Sequence, residues 1–396
     1  MDRRRPFTYG LLVLACLLLV AGWALPAFAQ PRAIVFGASI SMTGRYAQTG
    51  LHFRRGYELW KDQVNARGGL LGRPVAFVIY DDKSDPTTGS RLYEKLITQD
   101  KVDLVLGPYS SPVTLAVSTV TEKYRYPLIA AGASISEICQ RGYRYIFQTV
   151  AAGETYLDGA IDIAATRGLK RVAVINSDSL YPKAFSKAAV EKVKARGMEV
   201  VLHEAYPEKA TDLSAILTKV KSVGAEALIS GTYFNDAVLI VRQMKELGVH
   251  VKLLAQTVGP SLPDFAQALG PLAENVYGAT QWEPIPTMGF PGVAEFIDAF
   301  DKTYGYLPTY QVAESYGGMQ VLQRAIEQVG SLDREKLREA LGRLETKTVF
   351  GPYAVDERGC QIKKTALLIQ WQKGQRVVVW PDDVATGRPV FPMPPW

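Results

Sequence analysis

The stretch AIVFGASISMTGRYAQTGLHFRRGYELWKDQVNARGGLLGRPVAFVIY, residues 33–80, contains one complete strand–helix–strand unit. Its first eight residues, 33–40, are almost continuously apolar, which predicts a strand buried on both faces. Residues 50–67 repeat apolar side chains at helical spacing, and the glycines at 68–69 are typical of a helix end. Residues 75–80 predict the next strand. A helix that joins two buried strands in this way indicates a parallel sheet covered by helices.

The same alternation of strands and helices continues through most of the chain. A first series ends near residue 131, and a second series runs from residue 156 to residue 255. Each series supplies about four strands, so the sequence predicts an α/β fold of two doubly wound lobes with parallel-type sheets. In the second series the predicted helices are 156–167, 185–196, 213–223 and 237–247.

The last third of the chain has a different pattern. Three predicted helices precede a few short strand-like pieces, and the proline-rich end, 381–396, is expected to wrap over a surface. These helices are 291–304, 313–329 and 334–344.

The first 29 residues have the three parts of a secretory signal peptide. Basic residues at 3–5 precede an apolar run at 11–25, and an A-x-A cleavage pattern ends at Ala29. We therefore expect cleavage after Ala29 and a periplasmic location. A membrane anchor is less favoured, because the run is short for a bilayer span of about 20 residues. A twin-arginine signal at 4–7 and a lipoprotein box at 13–16 are open alternatives.

The charge and the cysteine count exclude several classes of function. The chain carries a formal net charge of +6, and the leader, with three arginines and one aspartate, accounts for +2, which leaves +4. These charges are scattered, so binding to nucleic acid is not expected. Three histidines and no Cys/His cluster predict neither a metal site nor another cofactor. Cys139 and Cys360 remain after the leader, and whether they pair in an oxidising compartment is open.

Three loops after strands of the first series are candidates for a ligand site. Ligands of open α/β sheets bind beyond the carboxyl ends of the strands. The loops at 107–112 and 131–134 place serine hydroxyls beside free backbone N–H groups, which suits a carboxylate. The loop at 41–47 is the third. The alternative is that the serines only cap helices, as serine commonly does.

Two loops of the second series carry aromatic residues at strand ends, at 178–181 and 231–236. Their rings either pack an edge or form the far wall of a cleft. Serine-elbow, zinc-protease, Walker and dinucleotide-binding motifs are all missing, so we expect a binding protein and not an enzyme. The pair Asp81-Asp82 is interpreted as part of a polar turn before the next helix.

Several of these segments resemble the periplasmic leucine/isoleucine/valine-binding proteins, the solute-binding components of ATP-driven importers. The likeness runs from about residue 33 to about residue 371, and its most specific part is 63–72. The segments that carry it are FGASISMTG at 36–44, VNARGGLLG at 64–72, YDD at 80–82 and GPYSS at 107–111. The resemblance implies the type I, Venus-flytrap architecture, in which three crossings form the hinge between two lobes and the ligand lies in the cleft.

The resemblance also implies where the chain divides. Residues 30–149 and 281–363 would form lobe 1. Residues 150–280 and 364–396 would form lobe 2 with the proline-rich tail, after a signal peptide at 1–29.

The family's ligand site can be transferred position by position. Four positions of lobe 1 would hold the ligand carboxylate, with Ser134 replacing a threonine, and two cleft tyrosines would come from lobe 2. The last position replaces a glutamate that neutralises the ligand ammonium. The corresponding residues are Ser111, Gly132, Ala133, Ser134, Tyr181, Tyr233 and Thr257.

Thr257 is the departure that matters for ligand identity. A buried ammonium without a carboxylate partner is costly. Either another acid serves, such as Asp236 or Glu283, or the ligand lacks an α-ammonium.

These features predict a periplasmic substrate-binding protein of an ABC importer. It would act as a monomer, capture an amino acid or a related small carboxylate or amide, and deliver it to a permease in the inner membrane. A periplasmic receptor that reports the ligand to a signalling partner is the alternative.

Overall fold

The computed structural model describes residues 31–285 and 288–396. The predicted signal peptide and its cleavage site lie outside these residues. No helix in the described ranges combines the length and the apolar character needed to cross a bilayer.

The N-terminal part builds a parallel sheet flanked by helices. Its elements are β1 (Ile34–Ile40), α1 (Ala47–Ala66), β2 (Val75–Asp81), α2 (Pro86–Thr98), β3 (Leu104–Val105), α3 (Ser111–Lys123), β4 (Leu128–Ala130), α4 (Glu137–Gln140) and β5 (Ile146–Gln148). The strand order is β2-β1-β3, and β4 pairs with β5. A parallel bridge between Tyr109 and Gly132 links the two groups. The carboxyl ends of β1, β3 and β4 therefore share one edge.

The middle of the chain repeats the pattern in a second sheet. Its elements are α5 (Asp158–Thr166), β6 (Arg171–Ser177), α6 (Leu180–Ala195), β7 (Glu199–Tyr206), α7 (Ser214–Ser222), β8 (Ala227–Gly231), α8 (Phe234–Glu246), β9 (Leu253–Gln256), α9 (Pro263–Leu269) and β10 (Tyr277–Thr280).

The C-terminal part contributes to both halves. It comprises α10 (Val293–Tyr304), α11 (Tyr310–Val329), α12 (Arg334–Arg343), β11 (Thr346–Thr348), β12 (Gly351–Tyr353), β13 (Leu367–Gln372) and β14 (Gln375–Trp380). The second sheet has the order β14-β13-β10-β9-β8-β6-β7, and only β13 and β14 run antiparallel to their neighbours. The predicted class, two α/β halves joined by three crossings, is confirmed: the chain crosses after β5, after β10 and after β12.

Helix α11 packs against α1 and so belongs with the first sheet. The apolar stripe of α1, with Phe53 and Trp60 at 0% and 1% exposure, is fully buried. Gly56 permits the close approach, since a Cβ there would lie 2.0 Å from the hydroxyl of Ser315 on α11. Burial of these aromatic side chains contributes roughly 2–3 kcal/mol each.

Four helices begin three or more residues earlier than the sequence predicts: α1 at Ala47 and not at 50, α11 at Tyr310 and not at 313, and the two that carry the cleft tyrosines. Helix α6 begins at Leu180 and not at 185, and α8 begins at Phe234 and not at 237. In α6 the early Pro182 falls in the first turn, where proline needs no hydrogen-bonded N–H. Tyr181 therefore lies in the first turn of α6, and Tyr233 is the N-cap of α8.

The proline-rich tail lies along the second sheet. The carbonyl of Val390 accepts hydrogen bonds from Tyr277 and from Gln370, at 3.0 Å each. The backbone N–H of Met393 donates to the carbonyl of Lys252. These contacts hold the tail against the second sheet although it contains neither a strand nor a helix.

The open alternative for the two cysteines is decided by the structure. Cys139 in α4 and Cys360 after β12 form a disulfide across 221 residues of sequence. Next to it, the backbone N–H of Gln148 donates to the carbonyl of Gly359 at 2.9 Å. The bridge thus fixes the chain beside β5 shortly before it makes its third crossing.

We expect the double variant Cys139→Ser/Cys360→Ser to lose about 3 kcal/mol of unfolding free energy, because a cross-link between distant residues restricts the unfolded chain. Urea denaturation followed by circular dichroism measures this loss. A reductant should destabilise the wild type to a similar extent and leave the double variant unaffected. Equal midpoints for oxidised wild type and variant would contradict the prediction.

Candidate functional site

A cavity lies between the two halves, at the carboxyl ends of strands from both sheets. The free space inside it is about 20 Å³, room for about one water molecule. Six of the seven predicted site residues line it, and Thr257 does not. The lining residues are Tyr109, Ser110, Ser111, Gly132, Ala133, Ser134, Val150, Tyr156, Tyr181, Tyr233, Val258, Tyr310 and Glu314.

The serines of the first half form the polar wall. Ser111 begins α3, and its hydroxyl accepts a hydrogen bond from the backbone N–H of Ser134 at 3.2 Å. Ser110 is the N-cap of α3, yet its side chain makes no capping bond. Its buried hydroxyl has no partner among the described residues. The capping alternative therefore does not account for these serines, and the free N–H groups at the start of α3 suit an anion.

The tyrosines of the second half form the opposite wall. The rings of Tyr181 and Tyr233 lie 5.9 Å apart, and Tyr156 packs on Tyr181 at 5.7 Å. Within the described ranges the buried hydroxyls of Tyr181 and Tyr233 have no partner. Burial raises the pKa of both well above the usual value, so both stay neutral hydrogen-bond donors at physiological pH.

The first crossing brings the two walls close together. Gly153 lies between them, since a Cβ there would lie 2.5 Å from the hydroxyl of Ser134 and 2.7 Å from the ring of Tyr181. Its backbone N–H donates to the carbonyl of Ser134 at 2.7 Å. Any larger residue at this position would push the walls apart.

Thr257 and the two alternative acids are engaged elsewhere. The hydroxyl of Thr257 donates to the carbonyl of Thr232 at 2.8 Å and accepts from its N–H at 2.9 Å, so it joins the ends of β8 and β9. Asp236 lies 3.3 Å from Arg45, and Glu283 lies 3.0 Å from Arg376. None of the three lines the cavity.

Glu314 is a cavity residue that the sequence analysis did not predict, and it is an acid among the lining residues. It is 2% exposed, and within residues 31–285 and 288–396 its Oε1 has no hydrogen-bond partner. Burial raises the pKa of its carboxyl well above the usual range. The predicted helix began at 313, which hid that Tyr310 and Glu314 share a face one turn apart. The sequence did contain one signal for this residue, since Glu314 is an acid among the apolar residues of a predicted buried helix.

Arg45, in the loop after β1, bridges the cleft beside the cavity. Its guanidinium lies 3.3 Å from Asp236 at the start of α8 and also pairs with Glu208 after β7. It lies 5.3 Å from the ring centres of both Tyr46 and Tyr233. A second bridge joins His52 of α1 to Asp264 of α9, with 3.0 Å between Nε2 and Oδ2. The protein's own side chains therefore hold the two halves together around the cavity.

The titratable side chains of the described residues include no group of three or more His, Cys, Asp or Glu that could hold a metal ion.

Comparison with known proteins identifies the family. The family model described as periplasmic binding protein matches residues 33–376, so the chain belongs to this family. The Leu/Ile/Val-binding protein homolog 8 of Brucella abortus is 28% identical over 378 residues, covering 90% of this chain and 93% of that protein. Homolog 7 of Brucella suis is 28% identical over 393 residues, covering 95% and 97%. These relatives are binding proteins, and the chain is a solute-binding protein and not an enzyme.

Solved structures show the same fold. A leucine binding protein from Thermotoga maritima superposes with a TM-score of 0.81 at 23% identity, covering 89% of this chain and all of that one. A branched-chain amino acid transporter substrate binding protein from Streptococcus pneumoniae, in complex with isoleucine, gives 0.80 at 24% identity, covering 87% and 98%. A solute binding protein of an ABC transporter from R. palustris, in complex with benzoate, gives 0.77 at 20% identity, covering 88% and 95%.

Proposed function

We propose that this protein is the substrate-binding component of an ABC importer that captures an amino acid or related small carboxylate or amide and delivers it to an inner-membrane permease. The observation that carries the proposal is the cavity itself. Its anion-suited wall at Ser111 and Ser134 faces tyrosines from the other half. In the proposed division, lobe 1 is 30–149 with 281–363 and supplies the serines, while lobe 2 is 150–280 with 364–396 and supplies Tyr181 and Tyr233.

The chemistry of the relatives' ligands supports the carboxylate. Isoleucine and benzoate, found in two structures of this fold, differ in side chain and in charge but share a carboxylate. Leucine, isoleucine and valine, for which the Brucella relatives are named, carry the same group. A carboxylate is also an anion that a helix N-terminus with adjacent serine hydroxyls is suited to bind.

Capture of the ligand depends on contacts that form only when the two halves close around it. In the proposed mechanism the carboxylate docks first on the serine wall, and the tyrosine hydroxyls reach it when the lobes close. Each contact made only in the closed form shifts the open–closed equilibrium toward closure. Arg45 adds a protein–protein contact of the same kind, so it should raise affinity without touching the ligand.

The serine wall can be tested directly. A thermal-shift screen of amino acids, aromatic and aliphatic carboxylates and amides first identifies a ligand. Calorimetry on Ser111→Ala and Ser134→Ala should then show its affinity reduced at least about tenfold, because a hydrogen bond to a charged group contributes roughly 1.5–3 kcal/mol. Ser118→Ala, a buried serine further along α3, is the control and should bind normally. Unchanged affinity in both wall variants would refute the site.

Arg45→Gln should weaken binding of the same ligand about tenfold or more. The closed form then buries Asp236 without its cation, and breaking such a pair costs roughly 2–5 kcal/mol. Calorimetry in low and high salt measures the change, and the wild type should be the more salt-sensitive protein. Arg54→Gln is the matched control, since Arg54 pairs with Glu58 on its own helix. Equal affinities of wild type and Arg45→Gln would show that the Arg45–Asp236 pair does not stabilise the closed form.

A further inference from the structure

We propose that Glu314 is the counter-ion for a cationic nitrogen on the ligand, so that this protein selects zwitterions, amino acids or betaines, over plain carboxylates. The inference rests on the proposed function and adds to it one more ligand-binding residue, Glu314, and a positive charge on the ligand. It also assigns the ammonium-binding role to α11 of the first half, in place of the second-half position that Thr257 occupies.

The position of Glu314 is the first argument. It lines the same cavity as Ser111 and Ser134, which form the anion-suited wall. The cavity therefore has one wall that favours negative charge and one acid that favours positive charge. A buried polar atom without a partner is costly, so an Oε1 held unpartnered in a ligand cavity points to a donor on the ligand.

The aromatic lining is the second argument. Five tyrosine rings surround the cavity, and tyrosine faces attract cations, above all ammonium and quaternary ammonium groups. A carboxylate among aromatic rings stabilises a cation through ion pairing and through cation–π contact. The five are Tyr109, Tyr156, Tyr181, Tyr233 and Tyr310.

The protein supplies only weak compensation for a charged Glu314. The lining contains no lysine, arginine or histidine. Lys364 is close enough to favour the ionised carboxylate, but its Nζ donates to the carbonyl of Phe350 and lies 3.7 Å from the centre of that ring. Burial lowers the pKa of Lys364 to about 7, so at neutral pH the side chain is only partly charged. A ligand cation can therefore provide the full positive charge beside Glu314 that Lys364 does not provide.

A plain carboxylate is disfavoured by the same geometry. It would bring a second acid into a small cavity that already holds Glu314. Two acids in one buried site cannot both ionise without a large cost, so a proton would have to be retained. In a zwitterion both charges find partners: the carboxylate lies at the serine wall and the cationic nitrogen pairs with Glu314. Asp236 and Glu283 cannot take this role, because each already pairs with an arginine outside the cavity.

Matched ligand pairs on the full-length mature protein test the proposal. Calorimetry compares L-leucine with 4-methylpentanoate and L-phenylalanine with 3-phenylpropanoate, and adds glycine betaine and benzoate. We expect at least one zwitterion to bind, and in its pair the form with nitrogen to bind at least about tenfold more tightly, since an unpaired buried charge costs several kcal/mol. Glu314→Gln should weaken that zwitterion about 30-fold or more, and it should bind plain carboxylates at least as tightly as the wild type does, because the second acid is gone. Glu327→Gln, an exposed glutamate on the same helix, is the control.

The outcomes separate this inference from the proposed function. If plain carboxylates bind as tightly as their amino forms, and Ser111→Ala weakens them, the proposed function stands and the role of Glu314 is refuted. If zwitterions bind and Glu314→Gln leaves them unchanged, the role of Glu314 is likewise refuted. If neither class binds and no amide of the thermal-shift screen binds either, both proposals fall. Should Glu314→Gln fail to fold, the ligand pairs on the wild type decide, because they need no variant.

Discussion

Parallel pairing of the strands is the constraint from which the site follows. Strands that run the same way end at the same edge, so the loops after β3 and β4 meet in one place, and those after β6 and β8 meet in another. The three crossings set these two edges opposite each other. No single loop forms the cavity; Ser111, Ser134, Tyr181 and Tyr233 come together because two sheets present their carboxyl ends across one gap.

The polar groups that line this gap are the main support for the proposed ligand site. Buried polar atoms in folded proteins are nearly always hydrogen-bonded. Ser110, Tyr181, Tyr233 and Glu314 each direct a buried atom without a described partner into one cavity. Other buried atoms without a described partner, such as Oγ1 of Thr232 and Oε1 of Glu283, lie outside the cavity. Because four such atoms face one cavity beside the start of α3, they support the ligand site proposed there.

In the proposed mechanism, closure depends on contacts of two kinds. Some pass through the ligand cavity, and others, such as Arg45 with Asp236 and His52 with Asp264, join the halves outside it. The second kind stabilises the closed form without any ligand, so it sets how much ligand binding energy is needed for capture. The crossing at Gly153 keeps the two walls in close contact and limits the size of the solute that can lie between them.

The sequence alone determined the α/β class, most helices and strands, and six of the residues that line the cavity. Apolar periodicity gave the class and the elements, and residue chemistry at strand ends gave the candidate loops, while the particular cavity residues followed from the family resemblance. It missed the short strands β5, β10 and β11, whose few residues leave no readable period, and it began α1, α6, α8 and α11 too late. Only the tertiary structure decided that Cys139 meets Cys360, that Asp236 and Glu283 are already paired, and that Glu314 faces the cavity. Each of these depends on contact between residues far apart in the chain, and such contacts leave no local pattern to read.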